Sequence, residues 1–161
     1  MKKIANISVK SLSMLTASTS QLIYSGRLMT RYGSTELEAS EFSVKLDEET
    51  CVCISSCWYE CEETGLDYPV VTAKKHIFKM SSNTSIFSFE NVSKYQSIKS
   101  LAVAHEDNSS LIYEGGVLLS RSDGKSAIIF GGDSAFRNLV LEHRKEQVES
   151  YLEKVIAIRE C

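Results

Sequence analysis

The chain has 161 residues, 43% hydrophobic and 24% charged, with a net charge of −3, which is the profile of a folded globular protein and excludes a disordered one. One proline and eight glycines leave no material for a flexible or proline-rich linker, so a single globular domain over residues 1–161 is expected. The charge is unevenly spread, because residues 36–67 carry ten acids against one base, Lys45. No basic stripe elsewhere offsets that segment, and a surface this acidic repels phosphate, so nucleic acid is excluded as an expected partner.

Lys2 and Lys3 precede an apolar stretch that Asn6, Ser8, Lys10, Ser11 and Ser13 interrupt. Neither a signal-peptide core nor the ~20 apolar residues of a membrane span forms, so a cytoplasmic protein with no membrane partner is expected. Ala5, Ile7 and Val9 alternate with polar neighbours and predict a strand. Gln21–Tyr32 predicts a second extended stretch, bent or bulged at Gly26. Phe42, Val44 and Leu46 alternate with Glu41, Ser43, Lys45 and Asp47, which is the pattern of an amphipathic strand. Asp47–Thr50 reads as a turn that returns Cys51–Tyr59 as the antiparallel partner.

Tyr68–Ala73, His76–Met80 and Ser85–Glu90 predict further strands, the last preceded by the polar turn Ser81–Thr84. Tyr95, Ile98, Leu101 and Ala102 then recur at helical spacing, predicting a helix capped by Asn91 or Ser93 and ending near Ala104. Ser122-Asp123-Gly124 lies between the apolar runs Gly116–Arg121 and Lys125–Phe130 and predicts a hairpin, with a type I′ turn supplied by Asp-Gly. Beyond Gly131-Gly132-Asp133, a buried strand at Asn138–Glu142 competes with one long helix from Ser134. A continuous helix would set Arg144 in its apolar stripe, so strand then helix is expected. The C-terminal helix, about His143–Ile156, turns Val148, Tyr151, Leu152 and Val155 inward. The sum is an α+β fold, a mainly antiparallel sheet of about seven short strands covered by two helices, one mid-chain and one C-terminal.

Cys51, Cys53, Cys57 and Cys61 fall within eleven positions. On a strand they share one face, with i and i+2 side chains about 6.5 Å apart. That is too far for a disulfide between neighbours, and the turn-borne C-x₂-C knuckle of a zinc site is missing. An odd number of cysteines, without an export signal, fits reduced thiols. On a helix, Cys53, Cys57 and Cys61 would stack at i, i+4 and i+8 as a soft-metal face. Val52, Ile54, Trp58 and Tyr59 favour a strand instead, on which cysteine packs as a small hydrophobe, and no metal or other cofactor is assigned.

Gly131-Gly132-Asp133-Ser134 lacks the spacing and the lysine of a phosphate loop and reads as turn chemistry. His105-Glu106-Asp107 reads as the polar end of the mid-chain helix. With no nucleophile, base and acid in a recognisable pattern, no catalytic residue is assigned and a non-enzymatic role is expected. The acidic segment does hold aromatic anchors among carboxylates, and Trp58, Tyr59, Glu60, Glu62, Glu63 and Asp67 are the candidate partner-binding residues. They fit a protein-binding module, of the inhibitor or immunity type, that docks a basic protein. Two alternatives stand beside it. One is a small-ligand-binding or hydrolytic domain whose sheet–helix pocket uses His105 or His76. The other is a thiolate metal or redox module on Cys51–Cys61. Exposed sheet edges also fit a homodimer.

Overall fold

The computed structural model describes residues 2–4, 22–25, 29–30, 37–79, 85–88, 95–131 and 139–160. The larger of its two sheets has eight strands: β1 (Lys2–Ile4), β3 (Met29–Thr30), β4 (Leu37–Ala39), β9 (Tyr95–His105), β10 (Asn108–Arg121), β11 (Ser126–Gly131), β12 (Leu139–Glu142) and β13 (Val155–Glu160). Their spatial order is β13-β9-β10-β11-β12-β4-β3, and β1 lies parallel to the start of β10. The smaller sheet holds β2 (Leu22–Ser25), β5 (Glu41–Lys45), β6 (Thr50–Glu60), β7 (Asp67–Ile77) and β8 (Ser85–Ser88), in the order β7-β6-β5-β2-β8. One helix, α1 (Lys145–Leu152), stands among the described residues. The predicted strand at Ala5–Val9 and the turn at Ser81–Thr84 lie outside them.

The architecture is mostly antiparallel sheet with one short helix, and the two-helix α+β expectation is corrected on three points. The mid-chain helix is β9, an eleven-residue strand between β10 and β13. The C-terminal helix stops at Leu152, and Val155–Glu160 becomes an edge strand on β9. The strands are more numerous than seven, and the longest, β10, has 14 residues. Tyr68–Ala73 and His76–Met80 also merge, because one unbroken ladder pairs Thr50–Glu60 with Asp67–Ile77.

The expected amphipathic strand is β5. Phe42 and Val44 are fully buried and pair with Ile54 and Val52 across the Asp47 turn. Asp47 holds that turn by accepting from the Glu49 and Thr50 amides at 2.8 Å, and these bonds keep its carboxyl below the usual range. The chain changes sheets within a few residues, since β4 pairs with β12, Ser40 intervenes, and β5 pairs with β6. Residues on this corner therefore seed the layer between the sheets. Phe42, Val44, Val52, Ile54, Val71 and Ala73 of the smaller sheet meet Ile98, Val117, Leu119, Ala127, Ile129, Leu139 and Leu141 of the larger one. Removing one large side chain here, as in Phe42→Ala, costs about 3–5 kcal/mol.

The other face of the larger sheet is covered by α1. Val148 packs on Leu101, Leu118 and Ile128, with Phe130, Tyr151, Leu152 and Val155 around them. Tyr151 stacks on Phe130 at 4.5 Å, and a Cβ at Gly116 would come within 3.1 Å of its hydroxyl, so the glycine makes room for the ring. Glu142 orders the two residues ahead of the helix by accepting from the His143 and Arg144 amides at 3.0 and 2.8 Å, and Arg144 at the N-cap makes no side-chain capping bond. Where the two sheets converge, Gly131 backs onto Pro69, and a Cβ there would sit 3.1 Å from the proline ring.

The Asp-Gly hairpin forms with a different turn from the one expected. Arg121 N–H donates to Lys125 O at 2.9 Å and Gly124 N–H to Arg121 O at 3.1 Å, enclosing three loop residues. With three residues enclosed and Gly124 at φ +85°, this is a three-residue loop closed by a left-handed glycine and not a two-residue type I′ turn.

Candidate functional site

The β6–β7 ribbon is an eleven-pair ladder that ends at Glu60 opposite Asp67. Its tip is a four-residue loop, Glu62–Gly65. Cys61 N–H donates to Leu66 O at 2.8 Å, and the Gly65 amide returns to Cys61 O at 2.7 Å. Gly65 sits at φ +68°, a left-handed position that closes the loop without a side-chain penalty. Glu60, Glu62, Glu63 and Asp67 are all exposed around this tip.

Alternation along β6 separates the two aromatic candidates. Tyr59 keeps 40% of its surface exposed and stacks on Tyr68 at 5.9 Å, and Tyr68 packs on Tyr113 at 5.6 Å. The result is a row of rings that begins in solvent and ends on β10. Tyr68, Val70, Cys61 and Leu111 fill the space beneath it. Burial, with Cys61 and Tyr59 alongside, raises the Tyr68 hydroxyl above its ordinary range. Trp58 faces the other way, opposite Pro69, and is half-buried. By the same alternation Glu60 and its cross-strand partner Asp67 share Trp58's face, while Tyr59 lies on the other face with Tyr68, and Glu62 and Glu63 stand in the loop between the two strands.

A second loop joins this tip. In the β9–β10 turn, the Asp107 amide donates to His105 Nδ1 at 3.0 Å, and His105 Nε2 lies 2.9 Å from the carbonyl of Asp67. The partners fix the tautomer: Nδ1 accepts and is bare, so Nε2 carries the proton and donates to the carbonyl. One neutral imidazole therefore pins the β9–β10 turn against the β6–β7 tip. The exposed Glu106 and Asp107 come with it. The two loops joined by this contact carry six exposed carboxylates, and neither residues 60–73 nor residues 100–120 include a lysine or arginine. Glu106 and Asp107 were legible only as a polar run, since nothing local links them to residues forty positions earlier.

The four thiols are spread along the strand and not gathered. Cys51 is buried, Cys53 half-buried, Cys57 exposed and Cys61 buried, and all four are free. With β6 extended, Cys53, Cys57 and Cys61 are separated by about 13 Å at each step of four residues. No group of three or more His, Cys, Asp or Glu side chains placed to hold a metal occurs among the described residues. Their chemistry also diverges. Cys53 Sγ donates to Glu41 Oε2 at 3.3 Å, and burial beside that carboxylate pushes its thiol up to about 12. Burial likewise raises Cys51. Cys61 moves the other way, because the Thr64 hydroxyl and the Glu63 and Thr64 amides hydrogen-bond its sulfur.

His76 lies exposed opposite Cys51 at the far end of the β6–β7 ribbon, so the two histidines considered for a pocket are not neighbours. His105 has both ring nitrogens committed to backbone groups. His143 is exposed ahead of α1. No helix among the described residues is long and apolar enough to cross a membrane. No family model, curated protein or solved structure matches the chain.

Proposed function

We propose that the end of the molecule built from the β6–β7 tip and the β9–β10 turn is a docking surface for a basic partner protein, and that the protein acts by binding and masking it. The observation that carries this reading is that six exposed carboxylates sit on two loops pinned together, at the end of a ribbon that also exposes a tyrosine with buried rings behind it. Carboxylates brought this close repel one another, and their repulsion is relieved when a cationic surface covers them. Tyr59 supplies a rigid aromatic contact at low entropic cost, because Tyr68 already holds its ring.

The test is capture from a lysate of the source cells with three baits, compared at low and high salt. Wild type should retain a basic protein that salt releases. A bait carrying Glu60→Lys, Glu62→Lys and Glu63→Lys should lose it, with association slowed about tenfold or more at low salt. Reversal of Glu146, Glu149 and Glu153, exposed acids on or beside α1, should leave capture intact. Equal capture by the wild-type and tip-reversed baits refutes the reading.

A further inference from the structure

We infer that His105 is a protonation-controlled latch that sets whether the two acidic loops form one continuous surface; this rests on the docking surface proposed above and names its regulation. The geometry allows the closed arrangement for one charge state only. Asp107 N–H donates to Nδ1 at 3.0 Å, and Nε2–H donates to Asp67 O at 2.9 Å. A protonated ring carries hydrogens on both nitrogens, which would direct Nδ1–H at the Asp107 N–H and lose that bond. The two backbone bonds therefore select the singly protonated ring, and adding a second proton removes the Asp107 bond.

The charged ring also has somewhere else to go. Glu106 and Asp107 flank it in its own turn, and Asp67, with Glu60 as its cross-strand partner, stands on the ribbon that it touches. Lys154 precedes β13, whose first residue pairs with Val103. Lys2 and Lys3 belong to β1, which pairs with Leu111 and Ile112 of β10. The acids stand in its own turn and on the ribbon it touches, and a released imidazolium can donate to one of them in place of the backbone bonds. Two arrangements follow. A neutral ring bridges the loops and leaves all six acids outward. A charged ring folds onto an acid, lowers the negative charge of the surface by one and unpins the β9–β10 turn. Binding of a basic partner should weaken as the pH falls through the histidine range.

The latch can be tested without any partner, so its failure and the failure of the docking reading are distinguishable. Nitrogen-15 NMR of the wild-type protein should show the Nε2–H neutral tautomer of His105 at pH 8. Over the same titration, the protection factor of the Asp107 amide, corrected for intrinsic exchange, should fall about tenfold between pH 8 and pH 5.5, the size of one hydrogen bond. In His105→Ala that amide should be unprotected at both values. The Nδ1–H tautomer at pH 8, or an Asp107 protection factor that does not change with pH in wild type, overturns the proposal. The wild-type titration decides it even if the alanine variant folds poorly.

Discussion

Glu114 on β10 is 1% exposed, and Arg159 on the edge strand β13 closes on it with two parallel bonds, Nε to Oε1 at 2.8 Å and Nη2 to Oε2 at 2.7 Å. The strand between them is β9, so this pair ties β13 to the centre of the larger sheet across its neighbour. Arg159→Ala would leave a carboxylate without its counter-charge inside the protein. Removing one partner of a fully buried pair costs about 3–5 kcal/mol, but the Arg159 side chain keeps 34% of its surface in water, so we expect about 2–3 kcal/mol. For a chain of this size that lowers Tm by roughly 5–10 °C. Urea unfolding followed through Trp58, the single tryptophan, measures it directly. The double variant Glu114→Leu with Arg159→Met should recover most of the loss, since no charge is then stranded. If Arg159→Ala changes stability by less than about 0.5 kcal/mol, Glu114 is not relying on this guanidinium and the reasoning fails.

Two further outcomes follow from local geometry. Burial beside Glu41 pushes the Cys53 thiol up to about 12 from an ordinary 9.0, so its contribution to stability is present below pH 9 and is lost as the pH rises from there through about 12. Iodoacetamide at pH 8 should therefore modify the exposed Cys57 and spare Cys53 until urea unfolds the chain, and Cys53→Ser should lose less stability than wild type above pH 9. Early labelling of Cys53 contradicts this. Gly124→Ala places a Cβ at φ +85° and should cost about 1–2 kcal/mol, with Gly124→Asn recovering part of it. An unchanged urea midpoint for the alanine variant would show that the loop adopts another turn.

Much of the sheet was legible where one face is wet. Along β5 the exposed Glu41 and half-buried Ser43 and Lys45 alternate with buried Phe42 and Val44, so the period of two is visible in the letters. It disappears in β9, which is covered on both faces: Ile98 packs between the sheets, and Leu101 packs under α1. With apolar groups needed on both sides, Ile98, Leu101 and Ala102 fall at spacings that imitate a helix. The register shift at Glu114/Gly116 removes the remaining alternation from the partner strand. Val155 misled for a related reason. It packs on the same cluster as Val148 and Leu152, as a helical residue there would, but it reaches that cluster from β13.

The site was half legible, and the half that was missed explains why a linear reading undercounts charge. Glu60, Glu62, Glu63 and Asp67 are neighbours in sequence because a tight hairpin carries them. Strand alternation alone separates Trp58 from Tyr59, since consecutive side chains on an extended chain point to opposite faces. Tyr59 shares its face with Cys57, so the exposed ring stacks on Tyr68, which packs with Cys61 beneath it. Glu106 and Asp107 join through the β9–β10 ladder, which brings their turn against the β6–β7 tip only because residues 95–105 are extended. Had that segment been the helix its spacing suggests, the His105 turn would have lain elsewhere, since a helix advances about 1.5 Å per residue against about 3.3 Å for a strand. Which acids share the two pinned loops is therefore set by the secondary structure of residues 95–105, a segment that carries no carboxylate of its own.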